Sequence, residues 1–321
     1  MAKAIRAMGV KKTLLRRMNK QAKRMEQSLR EKAKELLEKG EVKVVYGYRW
    51  GRNQKRVFPE FFTEPEQVSK LIFNPLCVNN MSLYYTRQYP DIMAMGKPAI
   101  VMKGCDIKTF KVLIQEFQVK REDVIILAVA CSGVVYKQDL WSGELTPETL
   151  SPKCIGCDVK NPDQYDHFIG EKVDEGDLFE GLTPIDEKVK EIDGMKSEAK
   201  WDLWMEHFDR CIKCYACSKI CPLCYCERCI VEKNMPQWID SGVSSKSKLS
   251  WNLTRAMHLV GRCTFCGECE RACPANIPLN LINRKMAMVV KESFDYSAGC
   301  SEEEHPPMIV YNPEDKEDFI K

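Results

Sequence analysis

The sequence predicts an α/β N-terminal domain with a mainly parallel sheet, followed by a mostly helical C-terminal domain organised around cysteines. Three observations carry this. Apolar runs at 99–102 and 124–130 flank a stretch, 107–117, with apolar residues at helical spacing. Such a strand–helix–strand unit belongs to a parallel sheet covered by helices. Seventeen cysteines lie among the 321 residues, many in C-x2-C groups. Beyond residue 201 one pattern of four cysteines and a proline occurs twice.

Residues 1–40 hold thirteen Lys/Arg against four Glu, although the whole chain carries only +3. Leu14, Met18, Ala22, Met25, Leu29, Ala33 and Leu36 recur at helical spacing, and Gly40 stands where a helix commonly ends. This predicts a basic amphipathic helical arm, its charges solvated or its face docked on a partner. Residues 41–170 form the α/β domain, with a further short strand at 44–46. Residues 171–200 are acidic and read as a linker, 201–300 as the cysteine-rich domain with a helical segment at 252–260, and 301–321 as an acidic tail. No apolar run reaches the ~18 residues that cross a bilayer. The N-terminus lacks the apolar core of a secretory signal, so a cytoplasmic location is expected. Disulfides are not expected in a chain of this size with no export signal, and tight C-x2-C spacing favours metal.

The repeated pattern is Cys211-x2-Cys214-x2-Cys217-x3-Cys221-Pro222, returning as Cys263-x2-Cys266-x2-Cys269-x3-Cys273-Pro274. One tight loop places three thiolates around a cube of iron and sulfide, while the fourth leaves the loop and ligates the other cube. Cys211, Cys214, Cys217 and Cys273 are expected to hold one [4Fe–4S] cluster, and Cys263, Cys266, Cys269 and Cys221 a second. One copy would also suit zinc, but structural zinc sites use two pairs rather than a run of four. Proline after the fourth cysteine has no N–H to satisfy and redirects the chain. Cys224, Cys226 and Cys229 follow at once. With a fourth ligand such as Cys300 they could hold a further metal; otherwise they are packed side chains.

Four other cysteines stand after strands or in the loop beyond. Cys105 follows the 99–102 strand and Cys131 the 124–130 strand, and Cys154-x2-Cys157 comes next. Ligands gather at the carboxyl ends of parallel strands, so Cys105, Cys131, Cys154 and Cys157 form the candidate third [4Fe–4S] site. Strand-end cysteines also serve as small buried apolar groups. Cys77 is a weaker candidate.

The stretch 43–169, through Phe73-Asn-Pro-Leu-Cys77-Val-Asn-Asn80, Lys103-Gly-Cys-Asp106, Cys131-Ser-Gly133 and Cys154-x2-Cys157-Asp158, resembles the coenzyme F-420 (deazaflavin) hydrogenase/dehydrogenase beta-subunit family, which includes formate dehydrogenase beta subunits. The C-terminal part resembles the helical two-cluster ferredoxin-like domains of heterodisulfide-reductase-like and succinate dehydrogenase subunits. These resemblances imply an iron–sulfur subunit that takes FAD in several members and passes electrons to deazaflavin.

No phosphate-cradling glycine loop of the G-x-G-x-x-G kind is present. Lys103 and Lys108, near the start of the 107–117 helix, could meet a flavin phosphate. The four histidines, at 167, 207, 258 and 305, are dispersed with no partner motif, and no catalytic residue is assigned. The reading is an electron-transfer subunit relaying electrons within an anaerobic multi-subunit redox complex, heterodisulfide-reductase- or formate-dehydrogenase-like. The alternative is a flavin-bearing subunit exchanging hydride with deazaflavin or a nicotinamide. Cross-ligated clusters are poor props for nucleic-acid binding, and no nucleic-acid partner is expected.

Overall fold

A computed structural model of the chain describes residues 22–314, apart from 177, 234, 302 and 312. Its frame is a five-stranded mixed sheet. The strands are β1 (Val44–Trp50), β2 (Val57–Phe62), β3 (Pro98–Met102), β4 (Ile125–Val129) and β5 (His167–Ile169), in the order β2-β1-β3-β4-β5. β1 pairs antiparallel with β2 and parallel with β3, and the β3–β4 and β4–β5 pairs are parallel. β3 is buried along its whole length and β4 at four of its five residues, the mark of strands covered on both faces. The α/β class, the parallel pairing and the three expected strands are therefore present. Edge strands β2 and β5 had no sequence signal: Pro59 interrupts the first, and the second is three residues long.

Residues 22–38 are helical (α1), with Leu29, Ala33 and Leu36 buried in the same core as the sheet. The Arg30 Nε donates to the Leu71 carbonyl at 2.7 Å, and the Phe73 N–H donates to Glu26 at 3.2 Å. This part of the expected arm is thus spent on its own chain. Leu14 and Met18 lie outside the described residues.

After α2 (Pro90–Met93) comes α3 (Gly104–Gln115). It begins three residues before the apolar spacing does, because Asp106 in its first turn accepts the Lys103 N–H and satisfies one of the free donors of a helix start. It stops short of Phe117, which is left-handed and largely exposed.

The acidic stretch read as a linker contains α4 (Ile185–Asp193) and the start of α5 (Ser197–Asp209). α4 packs on the last helix, where Arg284 forms an ion pair with Asp186 at 2.5 Å. The remaining helices are α6 (Ala216–Lys219), α7 (Ser245–His258), α8 (Glu268–Arg271) and α9 (Leu279–Phe294). α7 includes most of the helical segment expected at 252–260. Cys221, Leu223 and Leu259 belong to the core that surrounds the sheet, whereas Phe208, Trp251, Ile277 and Leu279 form a second, smaller core.

Candidate metal centres

β3 and β4 are parallel neighbours, so the chain leaves both at one edge. Cys105 lies in the first turn of α3 and Cys131 two residues past β4. The loop bearing Cys154 and Cys157 is drawn over that edge: the Cys131 N–H donates to the Lys160 carbonyl at 2.9 Å. Gly104 is required beneath it, because a Cβ there would stand 1.8 Å from the Val159 oxygen. Cys105, Cys131, Cys154 and Cys157 line one cavity of about 170 Å³, together with Lys103, Lys108, Lys153 and Arg284. Burial pushes the Cys105 thiol up to about 12 and raises Cys131 and Cys157 as well. Without metal these thiols hold their protons, and a bound cation must displace them.

The two repeats fold alike. In the first, Lys213 and Tyr215 are left-handed (φ 52° and 58°); in the second, Phe265 and Gly267 at the same positions are left-handed (57° and 72°). Each loop then starts a four-residue helix, α6 or α8. Three non-glycine residues in this region, each costing about 1–2 kcal/mol, point to a backbone shape the loop cannot give up. That shape turns N–H groups toward sulfur. Lys213 N–H donates to the Cys211 Sγ at 3.4 Å. The same two-residue step joins Phe265 to Cys263, Glu268 to Cys266 and Leu223 to Cys221. In the N-terminal site it joins Gly133 to Cys131 and Val159 to Cys157. Gly156, between Cys154 and Cys157, is left-handed (φ 66°) at the position that Lys213 and Phe265 occupy in the repeats. A thiolate that accepts backbone N–H is favoured over the thiol.

The grouping crosses the repeats. Cys217 has Cys211, Cys214 and Cys273 among its thiol neighbours, with Cys224 and Cys269 also within electrostatic reach. Cys221 instead lines a cavity of about 20 Å³ with Cys263, Cys266 and Cys269. Among the described residues no three Cys, His, Asp or Glu side chains converge closely enough for a single metal ion. A single zinc ion draws its sulfurs to about 2.3 Å from one point; these thiols ring a volume. Among the described residues, four of the five buried side-chain atoms without a hydrogen-bond partner belong to residues lining the Cys221 cavity: Arg255 Nε, Asn280 Oδ1 and both amide atoms of Asn283. Two of these, Arg255 Nε and Asn283 Nδ2, are donors, and donors orphaned beside a thiol-ringed cavity fit an anionic occupant, as an iron–sulfur cube with four thiolates would be.

The extra thiols do not meet. Cys224 turns to Cys221, Cys229 packs with the second core beside Tyr215, and Cys226 is exposed. Cys300, the suggested fourth ligand, is exposed near Lys291 and Tyr296. Cys77 is buried behind the N-terminal cavity and accepts the Asn74 N–H at 3.3 Å. Lys103 and Lys108 are committed elsewhere. The Lys103 Nζ donates to Asp106, the Tyr48 hydroxyl and the Asn79 carbonyl, and Lys108 pairs with Asp158 at 2.8 Å. Burial works against the Lys103 charge, but Asp106, paired with it at 2.9 Å, outweighs burial and holds the ammonium protonated.

Sequence reasoning missed the residues that join the sites. The Lys153 Nζ donates to the Cys266 carbonyl at 2.6 Å while lining the N-terminal cavity. Thr264 and Asn280 line both that cavity and the Cys221 cavity. The Thr264 hydroxyl lies 2.7 Å from that of Thr109, which donates to the Cys105 carbonyl. No spacing rule marks such residues; they become neighbours only when sheet and repeats pack together.

No family model matches the chain. Curated proteins do, among them two formate dehydrogenase beta subunits. The chain is 35% identical over 106 residues to the F420-dependent formate dehydrogenase subunit beta of Methanocaldococcus jannaschii, a match covering 33% of this chain and 27% of the relative. It is 22% identical to the F420-dependent formate dehydrogenase 1 subunit beta of Methanococcus maripaludis, over 86% of this chain and 91% of the relative. The first match thus spans about a quarter of its relative's length. The resemblance expected from the N-terminal motifs is borne out.

Proposed function

Starting from homology to formate dehydrogenase beta subunits, we propose that this chain is the iron–sulfur electron-transfer subunit of a cytoplasmic redox complex. Its partners would be the other subunits of a formate-dehydrogenase-like or heterodisulfide-reductase-like assembly. Three [4Fe–4S] clusters are assigned. Cys211, Cys214, Cys217 and Cys273 hold one, Cys221, Cys263, Cys266 and Cys269 a second, and Cys105, Cys131, Cys154 and Cys157 a third. The repeats and their connecting helix constitute a ferredoxin-like unit. When bound, the clusters supply one-electron storage and transfer.

The observation that carries this reading is the crossed grouping, in which Cys221 and Cys273 each sit with the thiols of the other repeat. Zinc gives no reason for such an exchange, whereas paired clusters do. The chain's own contribution is placement. The left-handed loops aim N–H groups at sulfur, burial excludes water, and Lys153, Thr264 and Asn280 hold the N-terminal set against the repeats.

Iron and acid-labile sulfide in protein purified without oxygen test this. About 12 iron per chain is expected for three cubes. About 8 would remove the N-terminal cluster, about 16 would bring in Cys224, Cys226 and Cys229, and zinc in place of iron would overturn the reading.

A second reading adds FAD and hydride exchange with a deazaflavin, favoured by the F420-dependence in both relatives' names. A yellow chromophore released by acid and identified as FAD would support it. Its absence, with no reduction of the clusters by reduced deazaflavin, would end it.

A further inference from the structure

One buried cation, Arg255, stands between the two C-terminal thiol sets. Arg255 projects from α7, the helix between the repeats, and is only 4% exposed. Its Nη2 donates to the Cys217 carbonyl at 3.0 Å, in the loop of the first set. Its charge is felt by Cys269, Cys221, Cys224 and Cys217, so it lies within electrostatic reach of both sets. Its Nε is buried with no hydrogen-bond partner. Among the described residues no carboxylate pairs with it. A guanidinium removed from water and left without an anion is strongly unfavourable, so a residue like this marks an anion that completes it. Asn283, on α9 and 3% exposed, lines the Cys221 cavity with its amide N–H2 and oxygen both unpartnered. Sulfides and thiolates accept hydrogen bonds and donate none. An amide facing them presents its N–H2.

We propose that Arg255 and Asn283 are hydrogen-bond donors to the sulfurs of the cluster held by Cys221, Cys263, Cys266 and Cys269, and that Arg255, shared with the Cys211, Cys214, Cys217 and Cys273 set, sets the reduction potentials of both. This rests on the cluster assignment above. Each one-electron reduction adds negative charge to a buried, thiolate-ligated cube. A fixed cation and N–H donors stabilise the reduced form more than the oxidised form and so raise the potential. Asn283 lines the Cys221 cavity and acts on the cluster held there. Arg255 acts on both, and on the first through the Cys217 loop as well. The competing occupant is a trapped water, for which a cavity of about 20 Å³ has room. A water would satisfy the same atoms without coupling them to cluster charge.

The experiment is an EPR-monitored redox titration of the full-length, anaerobically purified protein and its variants, with iron counted in each sample. Arg255→Gln should reduce the ratio of reduced to oxidised cluster at a fixed ambient potential about tenfold at both C-terminal centres. That is a fall of about 59 mV for a one-electron couple. Arg255→Lys, which keeps the charge, should recover part of the shift. Asn283→Leu should lower one centre and leave the other in place. Unmoved potentials in iron-replete variants overturn the assignment and favour the water. If Arg255→Gln fails to load iron, Arg255→Lys and Asn283→Leu decide, and unmoved potentials in both overturn it. A wild-type chain without iron overturns the cluster reading itself, and this one with it.

Discussion

The N-terminal thiol set and the paired C-terminal sets reach a similar ring of cysteines by opposite routes. In each repeat three thiols come from seven consecutive residues, and the left-handed positions of the loop shape it locally. At the sheet edge Cys105 and Cys131 are 26 positions apart and meet only because β3 and β4 are parallel neighbours. Cys154 and Cys157 arrive on a loop that must then lie within van der Waals reach of Gly104. One kind of site is written in a motif. The other is written in a topology, and so depends on everything that keeps the sheet folded.

The comparison can be broken most decisively through Cys221. Cys221→Ser should remove about 4 of about 12 iron per chain, and the lost EPR signal should be that of the second repeat, although Cys221 belongs to the first. Loss of the first repeat's signal alone would refute crossed ligation. Gly104→Ala tests the opposite route. The added methyl collides with the Val159 carbonyl, and iron should fall from about 12 to about 8 while the C-terminal signals persist. Loss of all iron would show that the repeats depend on the sheet edge more than their local geometry suggests. Lys103→Met should be smaller in iron but measurable in stability. It leaves Asp106 charged, 0% exposed and unpaired, at a cost of about 3–5 kcal/mol, read by denaturant unfolding of the loaded protein. A cost under about 1 kcal/mol would mean that the pair is not the clamp on the α3 start that its burial implies.

The same contrast explains what was legible beforehand. The repeats declare themselves because ligand spacing and backbone shape are confined to one loop, so eight cysteines could be named from spacing alone. The parallel unit was readable because 99–102 and 124–130 are apolar throughout, as strands covered on both faces must be. Their shared edge follows from that, and with it the grouping of Cys105 and Cys131. β2 was hidden by Pro59 and by charged Glu60 on an edge strand, where both are tolerated. The helix α4 was hidden because it buries little beyond Val189 and relies on Asp186 meeting Arg284 nearly a hundred residues on. Arg255 and Asn283 carry no signature in sequence. An arginine or asparagine on an amphipathic helix reads as a solvated residue, and only the packed structure reveals that both are buried.

Thr109 and Thr264 share a hydroxyl contact between α3 and the second cysteine loop, and Leu223 and Leu259 lie in the sheet's core rather than in the smaller one. An interchangeable cassette would carry its hydrophobic interior with it; this one leaves part of its interior in its neighbour. Severed from residues 41–170, the cysteine-rich half would expose those leucines to water and lose the partner of Thr264. Replacing it with a free-standing ferredoxin would leave a matching gap beside α3. The two halves therefore share one interior, and neither keeps its whole core when taken alone.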